Sequence, residues 1–227
     1  ITVSFQQGEM AAVLGRNGAG KTTFIRCIAN LIAHQGSIVL EEDGKKLGRS
    51  SIAYLPQLEK ITSSLTTFET ILLGLTKTLS WKVSEAQLAK VSQVIRELKL
   101  DAFANTPVRS LSGGQKQLVF LAQSFVSEPR LLLLDEPTSA LDVRHQLVVM
   151  ETVHRYCKKR NAIALYVIHD LTLASRFSDA VLFLHNGMAH AFDTPDAVLN
   201  SETIYQIESL IEKNSRGLTT MTPIKPL

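Results

Sequence analysis

A predicted strand, a glycine-rich loop and a predicted helix follow one another between residues 10 and 32. The strand covers Met10 to Leu14 and the helix covers Thr22 to Ile32. The loop between them has the sequence Gly15-Arg16-Asn17-Gly18-Ala19-Gly20-Lys21-Thr22. Loops of this kind surround phosphate oxygens with backbone N–H groups and the positive end of a helix dipole. The pattern therefore predicts an α/β protein that binds a nucleoside triphosphate.

Each residue type in this loop has its own task in holding phosphate. Gly15 and Gly20 bracket the loop, so its N–H groups can point inward at the β- and γ-phosphates. Lys21 supplies a positive charge, and the hydroxyl of Thr22 suits Mg²⁺. We predict nucleotide contacts from Gly15, Arg16, Asn17, Gly18, Ala19, Gly20, Lys21, Thr22 and Thr23.

An acidic pair follows a second apolar strand. Residues 131 to 134 are all leucine, which predicts a central parallel strand buried on both faces. Asp135 lies at the carboxyl end of that strand, where ligands bind in open α/β sheets, and its carboxylate can hold Mg²⁺ through water. Glu136 is one residue further on and can point toward the γ-phosphate. The alternative is that both acids only cap the turn made by Pro137.

A third motif lies between the phosphate loop and the acidic strand. Leu111-Ser112-Gly113-Gly114-Gln115 opens a helix that is predicted to stop before Pro129. The three motifs in this order resemble the ATP-binding cassette family, the ATPase subunits that drive membrane transporters. The resemblance covers about residues 8 to 195.

This resemblance implies further site residues. Glu136 matches the residue that polarises the attacking water, and His169 matches the switch histidine that contacts the γ-phosphate. Gln57 matches the Gln loop, whose side chain reaches Mg²⁺ and water, although alone it would be an ordinary polar loop residue. Asp142 matches a contact across a subunit interface. The predicted catalytic residues are Glu136, His169, Gln57 and Lys21, and the predicted metal ligands are Thr22, Gln57 and Asp135.

The resemblance also implies partners. ATP and Mg²⁺ would lie between the phosphate loop of one subunit and the signature segment of a second copy, in a head-to-tail dimer. The signature contacts come from Ser112, Gly113, Gly114 and Gln115. A transmembrane permease would bind the dimer on the cytoplasmic side of the inner membrane, and a substrate-binding protein would act indirectly. Two departures are Leu118, where the family commonly has a basic residue, and the adenine-stacking aromatic residue, which is expected upstream of Ile1.

The predicted fold is α/β: a phosphate-loop NTPase core of the RecA type with antiparallel β elements and an inserted helical subdomain over about residues 58–128. Residues 1–227 are predicted to form a single ATP-binding domain with a truncated N-terminus. The further predicted elements are a strand from residue 1 to the turn at Gly8-Glu9, strands at Ser37–Leu40, Ser51–Tyr54 and Ala162–Ile168, a capping box at Ser84 and Gln87, a helix from Val143 to Lys159, and a hairpin through Asn186-Gly187.

Composition argues against several classes of function. The net charge of +3 is small and the basic residues are scattered, which speaks against nucleic acid. The triplet Lys158-Lys159-Arg160 is predicted to close a helix. The longest apolar runs are far shorter than the ~18 residues of a membrane span. Two cysteines cannot build a disulfide framework, and the remaining histidines lack metal-ligand spacing.

Four short sequence segments indicate a subgroup of importers. Residues 67–74, 140–146, 169–171 and 193–199 are similar to the iron-siderophore, haem and vitamin B12 importers. Zinc and manganese importers share much of the sequence of these segments, and a soluble cassette ATPase is the alternative outside transport. Leu58 to Leu73 are predicted to form much of the groove that receives a permease helix. The apolar residues Leu65, Phe68, Ile71 and Leu72 within this segment are equally compatible with plain core.

Overall fold

A mixed sheet with helices on both faces organises the molecule. The computed structural model describes residues 1–58, 63–78 and 83–199, and two further strands at 209–213 and 219–223. Six strands of these residues form the main sheet in the order β4-β5-β6-β1-β7-β8. All neighbouring pairs are parallel except β7 and β8, which form an antiparallel hairpin. The predicted α/β class is confirmed.

The elements alternate along the chain as a parallel sheet requires. The strands are β1 (Met10–Leu14), β2 (Glu41–Glu42), β3 (Lys45–Lys46), β4 (Ile52–Leu55), β5 (Leu131–Asp135), β6 (Ile163–Val167), β7 (Ala180–His185), β8 (Met188–Asp193), β9 (Ser209–Lys213) and β10 (Thr219–Pro223). The helices are α1 (Lys21–Ile28), α2 (Thr67–Leu72), α3 (Glu85–Glu97), α4 (Gly113–Phe125), α5 (Val143–Arg160), α6 (Leu171–Phe177) and α7 (Pro195–Val198).

Two hydrophobic cores lie on opposite faces of the sheet. On β1, Met10, Ala12 and Leu14 enter one core, whereas Ala11 and Val13 enter the other. Strand β5 alternates in the same way, because successive side chains of a strand point to opposite faces. Both strands are fully buried, which explains why their sequences are continuously apolar rather than alternating.

Helices α2, α3 and α4 follow β4 and precede β5, and they share a third core. Val91 and Ile95 of α3 are buried in it, whereas Leu88 of the same helix is 39% exposed. The predicted capping box of α3 is present: the Ser84 side chain accepts from the Gln87 N–H, and the Gln87 side chain accepts from the Ser84 N–H. None of the described helices is both long and apolar enough to cross a membrane.

Three predictions about local structure were wrong. Residues 1 to 6 form no strand; Phe5 instead packs edge-on against Phe192 of β8. Ser37–Leu40 also form no strand, because the hairpin there pairs β2 with β3 around Asp43-Gly44, two residues with the positive φ angles that such a turn requires. The first helix ends four residues early, at Ile28.

The early end of α1 has a clear physical cause. Asn30 adopts a left-handed conformation with φ of 55°. The N–H groups of Asn30 and Leu31 then donate to the carbonyl oxygens of Cys27 and Arg26. This is the hydrogen-bond pattern of a Schellman motif, which satisfies the last carbonyl groups and stops the helix.

Candidate functional site

The predicted site segments meet at one edge of the sheet. The phosphate loop follows β1, Gln57 follows β4, Asp135 ends β5 and His169 follows β6. These four strands are parallel, so their carboxyl ends share an edge. This is where open α/β sheets bind ligands.

The phosphate loop is held in place by its glycines. Gly15 has a φ of 145°, and a Cβ atom there would lie 2.2 Å from the carbonyl oxygen of Leu184 in β7. Gly18 and Gly20 also have positive φ angles. Gly20 is the N-cap of α1 and offers no side-chain oxygen to its N–H groups. The first turn of α1 therefore presents donors that suit a phosphate.

Lys21 lies at the centre of this loop. The residue is only 6% exposed, and its Nζ donates to the carbonyl oxygens of Gly15 at 2.8 Å and Arg16 at 3.0 Å. Burial lowers the pKa of Lys21, while the nearby carboxylates of Glu136 and Asp135 act in the opposite direction. The ammonium group is thus pre-positioned and lacks most of its water shell, which strengthens its attraction for an anion.

Thr22 and Asp135 form a pair of oxygen ligands. The Thr22 hydroxyl donates to Asp135 Oδ1 at 3.0 Å, and the residues are 113 positions apart in sequence. Hydroxyl and carboxylate oxygens are the ligands that Mg²⁺ prefers. The donor set therefore fits the magnesium ion that the sequence predicts.

Tyr54 and Arg26 extend this pair. The Tyr54 hydroxyl donates to Asp135 Oδ2 at a long 3.4 Å, and Arg26 Nε donates to the Tyr54 oxygen at the same distance. The hydrogen bond to Tyr54 raises the pKa of Arg26. Neither residue was predicted from the sequence; the usable signal was a tyrosine at the end of a predicted strand, three residues before Gln57.

Glu136 joins the remaining catalytic candidates. Gln57 Nε2 donates to Glu136 Oε2 at 2.8 Å, and His169 Nε2 lies 2.9 Å from Glu136 Oε1. Glu136 has a φ of 48°, an uncommon conformation for a residue with a side chain. Strained backbone of this kind is typical of functional sites. The structure thus brings two other predicted catalytic residues, Gln57 and His169, onto the two carboxylate oxygens of Glu136, a pairing that the sequence did not predict.

The signature segment forms the start of α4. Ser112 is the N-cap: its hydroxyl accepts from the Gln115 N–H at 3.3 Å, and the Gln115 side chain accepts from the Ser112 N–H at 2.9 Å. This capping box was not predicted, although a serine followed three residues later by a glutamine is a standard signal for one. Asp142 is the N-cap of α5 and accepts from the His145 N–H at 2.9 Å.

A model of the ABC transporter family matches residues 1–139, which include the phosphate loop, the signature segment and the acidic pair. The chain belongs to the ABC transporter family. Its phosphate loop and its acidic strand end mark it as an ATP-binding and ATP-hydrolysing member, which confirms the predicted enzyme class.

Known ABC proteins are similar over almost the whole chain. An uncharacterised ABC transporter ATP-binding protein of Methanocaldococcus jannaschii is 36% identical, covering 99% of this chain and 91% of its own length. A hemin import ATP-binding protein of Plesiomonas shigelloides is 31% identical, covering 91% and 87%. A sulfate/thiosulfate import ATP-binding protein of Ralstonia nicotianae reaches 35%, covering 88% and 56%. Identity alone therefore does not separate cargo classes.

Solved ABC structures share the fold. A chain from a structure described as a metal-chelate type ABC transporter, in an inward-facing conformation, superposes with a TM-score of 0.83. It is 26% identical and the match covers 99% of this ABC protein and 90% of that chain.

Proposed function

We propose that this ABC ATPase powers the import of an iron-siderophore, haem or cobalamin-type substrate through a separate permease. The convergence of Gln57 and His169 on Glu136 is the observation that carries the ATPase part of the proposal. The hemin-import relative and the metal-chelate transporter support the cargo class. Zinc or manganese import is the alternative to be tested.

The proposed chemistry is an attack of water on the γ-phosphorus of ATP. The bond to the bridging oxygen breaks, ADP leaves, and Glu136 accepts the proton of the attacking water. Gln57 and His169 hold both oxygens of Glu136, so the carboxylate is oriented before the substrate arrives. Lys21 would bind phosphate oxygens. Thr22 and Asp135 would hold Mg²⁺, which supplies positive charge to the β- and γ-phosphates.

We infer a head-to-tail dimer in which Ser112 faces the ATP bound by a second copy. The Ser112 oxygen accepts within its own helix, so its hydroxyl proton can still be donated to a phosphate. Asp142 and Val143 support the same surface: the Asp142 side chain is 66% exposed and Val143 is 71% exposed. An exposed apolar residue beside a helix N-terminus fits a contact with another subunit.

We also infer that residues 1–227 form one ATP-binding domain. Its inserted helical subdomain would cover about residues 58–128. The separate core shared by α2, α3 and α4 supports this division. The domain would lie peripherally on the cytoplasmic side of the inner membrane, bound to its permease.

A groove between the sheet and the helical segment is the proposed docking site for the permease. Its volume is about 580 Å³, and it lies where the end of α1, β4, the turn after α2 and the end of α4 meet. Leu31 and Leu73 line it and are 58% and 42% exposed. A short amphipathic helix of the permease fits such a groove. Of the segment predicted from sequence, Ile71 is buried core, whereas Leu73 faces the groove.

The capping box of α2 restricts which residues of this segment can test docking. Thr66 and Glu69 form the capping box of α2, so replacing either by Arg would damage the helix as well as the surface. Leu73→Arg tests the groove directly, and Leu88→Arg on α3 is a control of similar exposure. Loss of permease binding in the first variant only would support the groove; equal binding would refute it.

Reconstitution with the permease and the binding protein tests the function itself. We expect ATP hydrolysis that drives uptake of a ferric siderophore, haem or cobalamin. Uptake of zinc or manganese instead would refute the cargo class. Absence of ATP hydrolysis in the assembled complex would refute ATP-driven import.

A further inference from the structure

His145, in the first turn of α5, touches two segments that are separate in the sequence. One is the start of α4, which carries the signature residues. The other is the loop Ser139–Asp142 that leads into α5. From the sequence, His145 is only one of the histidines without metal-ligand spacing.

One edge of the imidazole ring faces Asp142. The ring Nδ1 lies 2.8 Å from each oxygen of the Asp142 carboxylate. A carboxylate only accepts hydrogen bonds, so Nδ1 carries a proton whether or not the ring is charged. The bonds from the backbone and side chain of His145 lower the pKa of Asp142, which keeps it ionised as an acceptor.

The opposite edge of the ring lies against Gly114. A Cβ atom on Gly114 would come within 2.1 Å of His145 Cδ2 and 2.9 Å of Nε2. Gly114 lies within α4, and its φ is not in the left-handed region. A larger residue at position 114 is therefore excluded by the His145 ring and not by the backbone conformation. At the neighbouring Gly113, by contrast, a Cβ atom would make an ordinary 3.6 Å contact with Leu141.

We propose that His145 is a positioning residue that fixes the signature segment to the Asp142 loop. Both segments belong to the surface that faces the second subunit in the proposed dimer, so the inference rests on that dimer. By filling the gap between Gly114 and Asp142, the ring makes the two segments one rigid surface. ATP then has to order a single preformed surface rather than two independent segments, which lowers the entropy cost of association.

Two single variants separate the two contacts of the ring. His145→Asn keeps a donor toward Asp142 but removes the ring edge from Gly114. His145→Phe keeps a ring beside Gly114 but removes the hydrogen bond. His154→Asn, at a half-buried position of the same helix, is the matched control. All variants are made in a Glu136→Gln parent, in which we expect ATP to stay bound and hydrolysis to be slow.

The readout is the subunit concentration at which half of the protein is dimeric in ATP and Mg²⁺. We expect His145→Asn and His145→Phe each to raise it by about tenfold, the scale of coupling between contacting residues. The ATP affinity of the monomer and the urea midpoint should both stay near the values of the parent. If His145 had a purely structural role, its replacement would lower the urea midpoint. The His154→Asn control should dimerise like the parent.

A double variant provides the rescue. Gly114→Ala should lower the urea midpoint because the new methyl group meets the ring, and adding His145→Ala should restore most of that loss. If the parent dimerises in ATP and both His145 variants leave its half-dimer concentration unchanged, the positioning role alone is refuted. A parent that remains monomeric in ATP would refute the dimer and the positioning role with it. Failure of the rescue would refute the contact with Gly114.

Discussion

Replacing Glu136 by Gln separates the chemical role of this side chain from its role in packing. Gln has almost the same size but cannot take a proton from water at neutral pH. We expect hydrolysis to slow by roughly 10²-fold or more, the usual scale for losing a general base. A 10²-fold loss corresponds to about 2.7 kcal/mol on the activation barrier.

The structural cost of the same change is smaller. The new amide oxygen can still accept from Gln57, and its NH₂ group can donate to Nε2 of a neutral His169. Only the charge-assisted part of the two bonds is lost. Because the side chains of Glu136 and His169 are 23% and 50% exposed, this loss is below about 1 kcal/mol in the free energy of unfolding.

Three measurements on the purified subunit test this reasoning. Phosphate release gives kcat, urea unfolding gives stability, and binding of a fluorescent ATP analogue shows that the nucleotide site is intact. Glu151→Gln, at an exposed position of α5, is the control and should behave like the wild type. A kcat within about threefold of the wild type would refute the role of Glu136 as a general base. An unfolding loss above about 2 kcal/mol would show a structural role instead.

Three further predictions concern the loop and the cysteines. Lys21→Ala should weaken ATP binding by roughly 30-fold or more, because a buried ammonium group is lost. Titration with a fluorescent ATP analogue measures the Kd, and an unchanged Kd would contradict the prediction. Gly15→Ala should lower the free energy of unfolding by about 3 kcal/mol or more, because the new methyl group would clash with a carbonyl oxygen of β7. Gly18→Ala has open space around it and should lower that free energy by only about 1–2 kcal/mol. Urea unfolding measures both variants, and equal losses would contradict the clash. Burial raises the pKa of Cys157 to about 12, so iodoacetamide should label the half-buried Cys27 first. Mass spectrometry of the native protein measures the labelling, and equal labelling of the two cysteines would contradict this.

The sequence alone was sufficient for the parts of the fold that depend on local pattern. β1 and the hairpin of β7 and β8 lie where continuous apolar runs and the pair Asn186-Gly187 predict them. The N-terminus of α4 lies at Ser112, because a serine hydroxyl can satisfy the first N–H groups of a helix. These outcomes depend on backbone geometry within a few residues.

The sequence failed where pairing partners decide the structure. Ser37–Leu40 contain strand-forming residues but have no ladder in the structure, while the less apolar β2 and β3 pair around Asp43-Gly44. Strand propensity describes how well a residue fits a pleated surface, and a strand needs a neighbour to supply that surface. The tight turn provided one only for β2 and β3.

The sequence by itself determined which residue types are available for phosphate binding and hydrolysis, because the loop and the acidic strand end are contiguous motifs. Only the tertiary structure decided which of them meet. Gln57 and His169 lie 79 and 33 positions from Glu136, yet parallel strands β4, β5 and β6 end side by side and bring all three within hydrogen-bond distance. The contact of His145 with Gly114 is also invisible in the sequence, since it depends on how α5 packs against α4.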